Sequence, residues 1–274
     1  MSVVLAAVVI LVATTLGVTA ILLVRRRAPE GSYFQDGDRA AGVFGVLATG
    51  FAVLLGFVVF LAYERYDDAR SGSEAEALVV VQQFETAQFL PVDVRARLGG
   101  ELTCYARSVV GQEWPRMENG DVADTLSTWA VALFRTLETV DPKSAPEQAA
   151  YSKWLDQTSE REEARRDRLH GAAGVIPGSL WLVLFFSATV IFLFMLFFAD
   201  SNEGPFTQGM LIGSVVAVMS AMLLLLGFLD NPYRSGPGSL EPIAMERSLR
   251  TLDQARRVVG DSTPLPCDEQ GRPT

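Results

Sequence analysis

Residues 41–63 read AGVFGVLATGFAVLLGFVVFLAY, a run without Asp, Glu, Lys, Arg or His, and residues 64–70, ERYDDAR, return abruptly to charge. At about 1.5 Å rise per residue the run crosses roughly 30 Å of hydrocarbon as a helix. A soluble helix of this length carries a polar face; this run has none. Working outward, residues 3–24, 179–199 and 209–229 are equally free of ionisable side chains. The sequence therefore predicts an all-α membrane protein with four spans and a helical, water-facing insert between the second and third. The expected divisions are 1–63 (two spans and a connector), 64–178 (insert), 179–230 (a transmembrane hairpin), 231–259 (a turn and an amphipathic helix) and 260–274 (a polar tail).

The first apolar run is too long for the core of a signal peptide, lacks a basic leader and is followed by Arg25, Arg26 and Arg27. It reads as a retained span. A net charge of −9 argues against a nucleic-acid partner. Cys104 and Cys267, one in an expected helix and one in the tail, suggest neither a disulfide framework nor a zinc site. The single histidine, His170, makes no dyad or metal cluster and reads as the C-terminal residue of a helix, facing its dipole. Phosphate-loop, zinc-protease and nucleophile-elbow motifs do not occur. No catalytic residue, metal ligand or cofactor is expected, and the reading is of a protein that is not an enzyme.

The insert holds 13 Lys or Arg and 20 Asp or Glu. One helix should continue the second span to about Leu90 and stop at Pro91. The next, about 92–117, carries the stripe Val94, Leu98, Leu102, Tyr105 and Val109 at spacings of three and four. A third is expected after Asp121 as N-cap, with Val122, Leu126, Trp129, Leu133 and Leu137 on one side. Ser144-Ala-Pro-Glu147 has the form of a capping box opening a fourth. That helix ends in EREEARRDRLH, read as a solvated face with Glu162 and Arg166 paired across one turn. A last amphipathic helix over about 240–259 should bury Met245, Leu249, Leu252 and Val259, and the Pro- and Gly-containing tail should be disordered.

Loop charge sets the expected orientation. Near the span ends, Arg65, Arg70, Arg165, Arg166, Arg168 and Arg234 outnumber Arg25–Arg27 and Arg39 by six to four. This places the insert and both termini in the cytoplasm of a cell-membrane protein. No span carries an ionisable residue, so a proton relay of the pump type is not expected.

Within the second span, Gly42, Gly45, Thr49, Ala52 and Gly56 share a face at spacings of three and four. Small residues let membrane helices approach closely, so this is the expected packing face. Beside it lie Val53, Phe57 and Phe60. The run Val53-Leu-Leu-Gly-Phe57-Val-Val leading into Tyr63-Glu-Arg-Tyr66 resembles the second membrane helix of bestrophins. Glu74-Ala-Glu-Ala, Tyr105-Ala-Arg with Glu113-Trp114, and Leu229-Asp-Asn-Pro-Tyr233 extend the likeness to the bacterial bestrophin-like family over roughly residues 40–250.

The resemblance implies a homopentameric anion channel with four membrane helices per subunit. Its second helices would line a narrow apolar neck at Phe57, Val53 and Thr49, with Arg65 and Arg70 near the inner mouth. Two of the three positions are smaller here than the bulky neck residues of bestrophins. The acidic run that binds calcium in bestrophins is replaced after Asn231-Pro232-Tyr233 by Arg-Ser-Gly-Pro-Gly-Ser, so no calcium site is expected. The expected partners are the lipid bilayer, further copies of the chain and small inorganic ions. The alternative is a non-conducting membrane scaffold or sensor whose insert binds a partner.

Overall fold

The computed structural model describes residues 3–122, 127–174, 176–236 and 238–274. Its helices are α1 (Val3–Arg25), α2 (Gly37–Ala87), α3 (Val92–Ser108), α4 (Trp114–Glu118), α5 (Thr128–Glu138), α6 (Ala145–His170), α7 (Gly178–Leu196), α8 (Pro205–Leu229) and α9 (Ile243–Val258). No strand occurs among the described residues. Among the described residues four helices, α1, α2, α7 and α8, are long and apolar enough to cross a membrane. The chain divides into two compact units. One comprises Met1–Glu64, Val175–Asp230 and Ser235–Pro237; the other comprises Arg65–Gly174, Asn231–Arg234 and Gly238–Thr274. The α2 helix runs unbroken for 51 residues and contributes to both.

In the apolar unit, α1 pairs most extensively with α8. The reason is a Gly-x-x-x-Gly step, Gly209 and Gly213, whose bare backbone receives Val18 and Thr14 of α1. A Cβ on Gly213 would lie 3.1 Å from Val18, and one on Gly17 would lie 3.0 Å from Val216. Arg25 closes the pair: it donates to the carbonyls of Glu203 and Ser201 in the α7–α8 connector. Phe34 and Phe44 pack on Phe194 and Phe198 near the end of α7. Asp230, just past α8, accepts from the Ile176 amide and the Trp181 indole at the start of α7.

In the second unit, α3 packs on α5 and α9. The stripe Val94, Leu98, Leu102, Tyr105 and Val109 is buried as its spacing predicts, with Leu133, Leu137, Trp154, Met245 and Leu252 around it. The helix after Pro91 does not run straight to 117. It widens into a π turn at Val109–Glu113 before α4. Pro115 supplies the cause, since it has no N–H to donate and its ring crowds the carbonyl one turn back.

The third insert helix starts at Thr128, capped by Ser127 without a side-chain bond, and not at Asp121; Leu126 lies outside the described residues. Val259 is half exposed and does not join the buried side of α9. Arg166 donates to the backbone carbonyl of Glu162 and not to its carboxylate.

The cysteine expectation also fails, for Cys104 and Cys267 form a disulfide, their Cα atoms 5.8 Å apart. The tail around Cys267, expected to be disordered, is folded onto α3 and the π turn. Trp129 Nε1 donates to Gly271 O at 2.6 Å, Gln112 to Gln270 O at 2.9 Å, and Arg107 to Asp268 O at 3.2 Å. Gly271 sits at φ +74° with its Cα against Ser108, where a side chain has no room.

Candidate functional site

Two places carry the sequence motifs, one in each unit. The first is the membrane part of α2. Phe51, Leu55, Val58 and Ala62 are buried, one helical face at spacings of four and three. The other side is bare. Thr49, Val53 and Phe57 are all exposed in the single chain, Val53 by 53% and Phe57 by 65%. The small residues Gly42, Gly45, Ala52 and Gly56 are exposed too, and a Cβ on any of those three glycines would meet nothing within 4 Å. The small-residue contact made inside the chain is the α1–α8 step, not the one on α2. Further along α2, Arg65 and Arg70 are exposed, and Arg70 pairs with Glu74 at 3.2 Å.

The second place is a buried charge network. Arg168, with no solvent exposure, grips both oxygens of Glu76, at 2.5 and 3.0 Å, and reaches Glu113 at 2.6 Å. Arg165 takes the other oxygen of Glu113 at 3.0 Å. Tyr105 donates to Glu76 at 2.5 Å, and Arg161 lies over the Tyr105 ring while bonding Gln83 at 2.8 Å. Trp114 stands edge-on to Tyr233, whose hydroxyl donates to Arg168 O at 2.7 Å. Glu76, Tyr105, Glu113, Trp114 and Tyr233 come from three separate motifs of the sequence, and α6 brings them together.

Burial works against charge on Glu113, but the Arg168 and Arg165 guanidiniums outweigh it and hold its carboxyl below the usual range. Burial likewise disfavours the Arg168 cation, yet Glu76 and Glu113 hold its pKa well above the ordinary arginine value. Tyr105 is pushed far up, first by burial and then by Glu76. Each charge is paired, the condition under which ions persist in a protein interior. The arrangement fixes geometry: it joins α2, α3, the π turn and α6 of this unit.

The charged end of α6, expected to be a solvated face, is in part buried. Arg161, Arg165 and Arg168 are buried, while Arg166 and Asp167 between them are exposed. The signal was present as spacings of four and three, the helical period written in arginine instead of leucine.

No curated protein matches the chain. Among solved structures, a bacterial bestrophin homologue from Klebsiella pneumoniae, crystallised as a point mutant, aligns with a TM-score of 0.63 at 14% identity, covering 91% of this chain and 98% of that one. A second mutant of the homologue gives 0.62 at 15% identity, with coverage of 89% and 99%. A crystal structure described as a membrane protein gives 0.65 at 14% identity, covering 89% and 98%. At such identities the likeness is one of fold. The family model of the bestrophin-like domain matches residues 8–242, and the chain belongs to the bestrophin-like family of multi-pass membrane proteins.

Proposed function

We propose that the chain is one subunit of a homo-oligomeric ion channel, pentameric by likeness to bestrophins, whose α2 helices surround the passage. The observation that carries this reading is the two-sidedness of α2. Its Phe51–Leu55–Val58–Ala62 side is buried within the chain, while Thr49, Val53, Phe57 and the neighbouring glycines are exposed among the described residues. A surface of small residues beside a row of larger apolar ones suits a ring of identical helices: the glycines let neighbours approach and the row faces the axis. Phe57 would form the narrowest ring, Val53 the next and Thr49 the third. Apolar rings gate by shedding and admitting water, with no covalent chemistry. Arg65 and Arg70 would favour anions near one mouth, although the Glu74 carboxylate offsets part of the charge of Arg70.

The loop charges support an insert and termini in the cytoplasm. The Cys104–Cys267 bridge favours the reverse, because disulfides persist in oxidising compartments and are uncommon in the cytosol.

Phe57→Ala tests the pore. Facing a lumen, the truncated ring widens the neck, and ion flux into liposomes rises while thermal stability holds. Unchanged flux with a stability loss of about 3–5 kcal/mol, the usual cost of emptying a packed site, would show that Phe57 is core. Absence of flux from wild type and variant alike would favour the scaffold reading.

A further inference from the structure

The pairing of α1 with α8 leaves an apolar groove of about 660 Å³ along its outer seam. Thr14, Val18 and Leu22 form one wall and Phe206, Gly209 and Gly213 the other. Gly209 and Gly213 keep the α8 wall low, since neither projects a side chain. Val18 and Thr14 pack against the bare backbone of Gly213, and Val18 against that of Gly209, along the floor of the groove. From Thr14 to Leu22 it follows the helix axis for about 12 Å, eight residues of rise. Its upper end lies where α1 leaves the apolar layer. Arg26 and Arg27 follow directly in the turn that ends α1, four and five residues after Leu22, and both side chains are exposed. Arg25 is committed to the connector carbonyls, and the Asp200 carboxylate to the amides of Gly31 and Asn202. Arg26 and Arg27 are thus exposed cations within five residues of Leu22, at the end of the slot where Arg25 meets the connector that leads into Phe206; the acids of the connectors after α1 and α7 include Glu30, Asp200 and Glu203.

We infer that this groove binds one acyl chain of an anionic glycerophospholipid, with the headgroup phosphate at Arg26 and Arg27. The slot matches an alkyl chain because its lining is almost wholly apolar. The mouth selects a net negative headgroup because a zwitterionic one carries its own cation, which Arg26 and Arg27 repel.

The full-length protein in a neutral detergent, loaded with phosphatidylglycerol or with phosphatidylcholine of the same chains, provides the test. Native mass spectrometry counts retained lipid. Wild type should retain phosphatidylglycerol preferentially. The double variant Arg26→Gln/Arg27→Gln should lower that retention about tenfold, the order expected of two surface cations near an anionic headgroup, and leave phosphatidylcholine unchanged. Ser214→Phe, which places a ring in the slot from α8, should lower retention of both lipids. Met210→Trp serves the same purpose if that variant does not fold. Equal retention by wild type and the arginine variant overturns the headgroup assignment. Undiminished retention by both groove-filling variants overturns the groove, as does a change in oligomeric mass without lipid loss, which would make the groove a contact between copies.

Discussion

Arg168 is the residue on which the water-facing unit turns. It neutralises Glu76 and shares Glu113 with Arg165, all within the interior. Replacing it with methionine keeps much of the volume but leaves two buried carboxylates short of a partner. The expected loss is about 3–5 kcal/mol, read as a lower unfolding midpoint in detergent. Glu113 sets an acid limit of defined sign. Its folded pKa lies below its unfolded value of about 4.3. Its contribution is therefore fully present above that value and disappears as pH falls through the folded one. Melting temperature measured against pH should drop below about pH 4, and Glu113→Gln should flatten the drop. Most of this network was hidden in the sequence for a physical reason. Charge on a helix usually means solvent, and only the spacing of Arg161, Arg165 and Arg168 distinguishes a buried face from a wet one.

At the scale of elements, two helices carry small-residue steps, and the structure assigns them different tasks. Gly213 is a closed contact, so Gly213→Leu forces the added side chain against Val18 and should cost about 1–3 kcal/mol as overpacking. Gly45 and Gly56 face open space in the single chain. Gly45→Leu and Gly56→Leu should leave subunit stability within about 0.5 kcal/mol, as for substitutions outside any packed feature, yet reduce the oligomer seen by light scattering. Equal behaviour of the two sets would remove the distinction. Span positions, the break at Pro91 and the Ser144 capping box were legible in the sequence, because each depends on local chemistry. The true start of α5 and the π turn were not. A side-chain cap signalled a start at Asp121 that tertiary packing did not use, and Pro115 was compatible with either a break or a widened turn. The Gly209–Gly213 step went unread in favour of the small residues on α2, because the choice of partner between two such steps is a property of the assembled chain.

At the scale of the whole molecule, the disulfide is the feature least visible in the sequence, since the cysteines lie 163 residues apart and no local signal joins them. Cys104→Ser/Cys267→Ser should lower stability by about 2–5 kcal/mol and make residues 260–274 sensitive to protease. In cells, maleimide labelling of the native membrane reports the oxidation state, and a reporter fused after Thr274 reports the compartment. A cytoplasmic reporter supports the orientation drawn from loop charge; an exported one with a fully oxidised bridge reverses it. Whichever compartment is found, the bond imposes a parity rule. A covalent link between two side chains cannot pass through hydrocarbon, so residues 104 and 267 lie on one side of the bilayer and the chain between them crosses an even number of times. The crossings in that interval are α7 and α8. Losing either span alone would strand the cysteines on opposite sides. The bond is therefore a check on paired insertion: it is compatible with both spans crossing and excludes one crossing alone, and a non-reducing gel of variants lacking α7 or α8 would read that out.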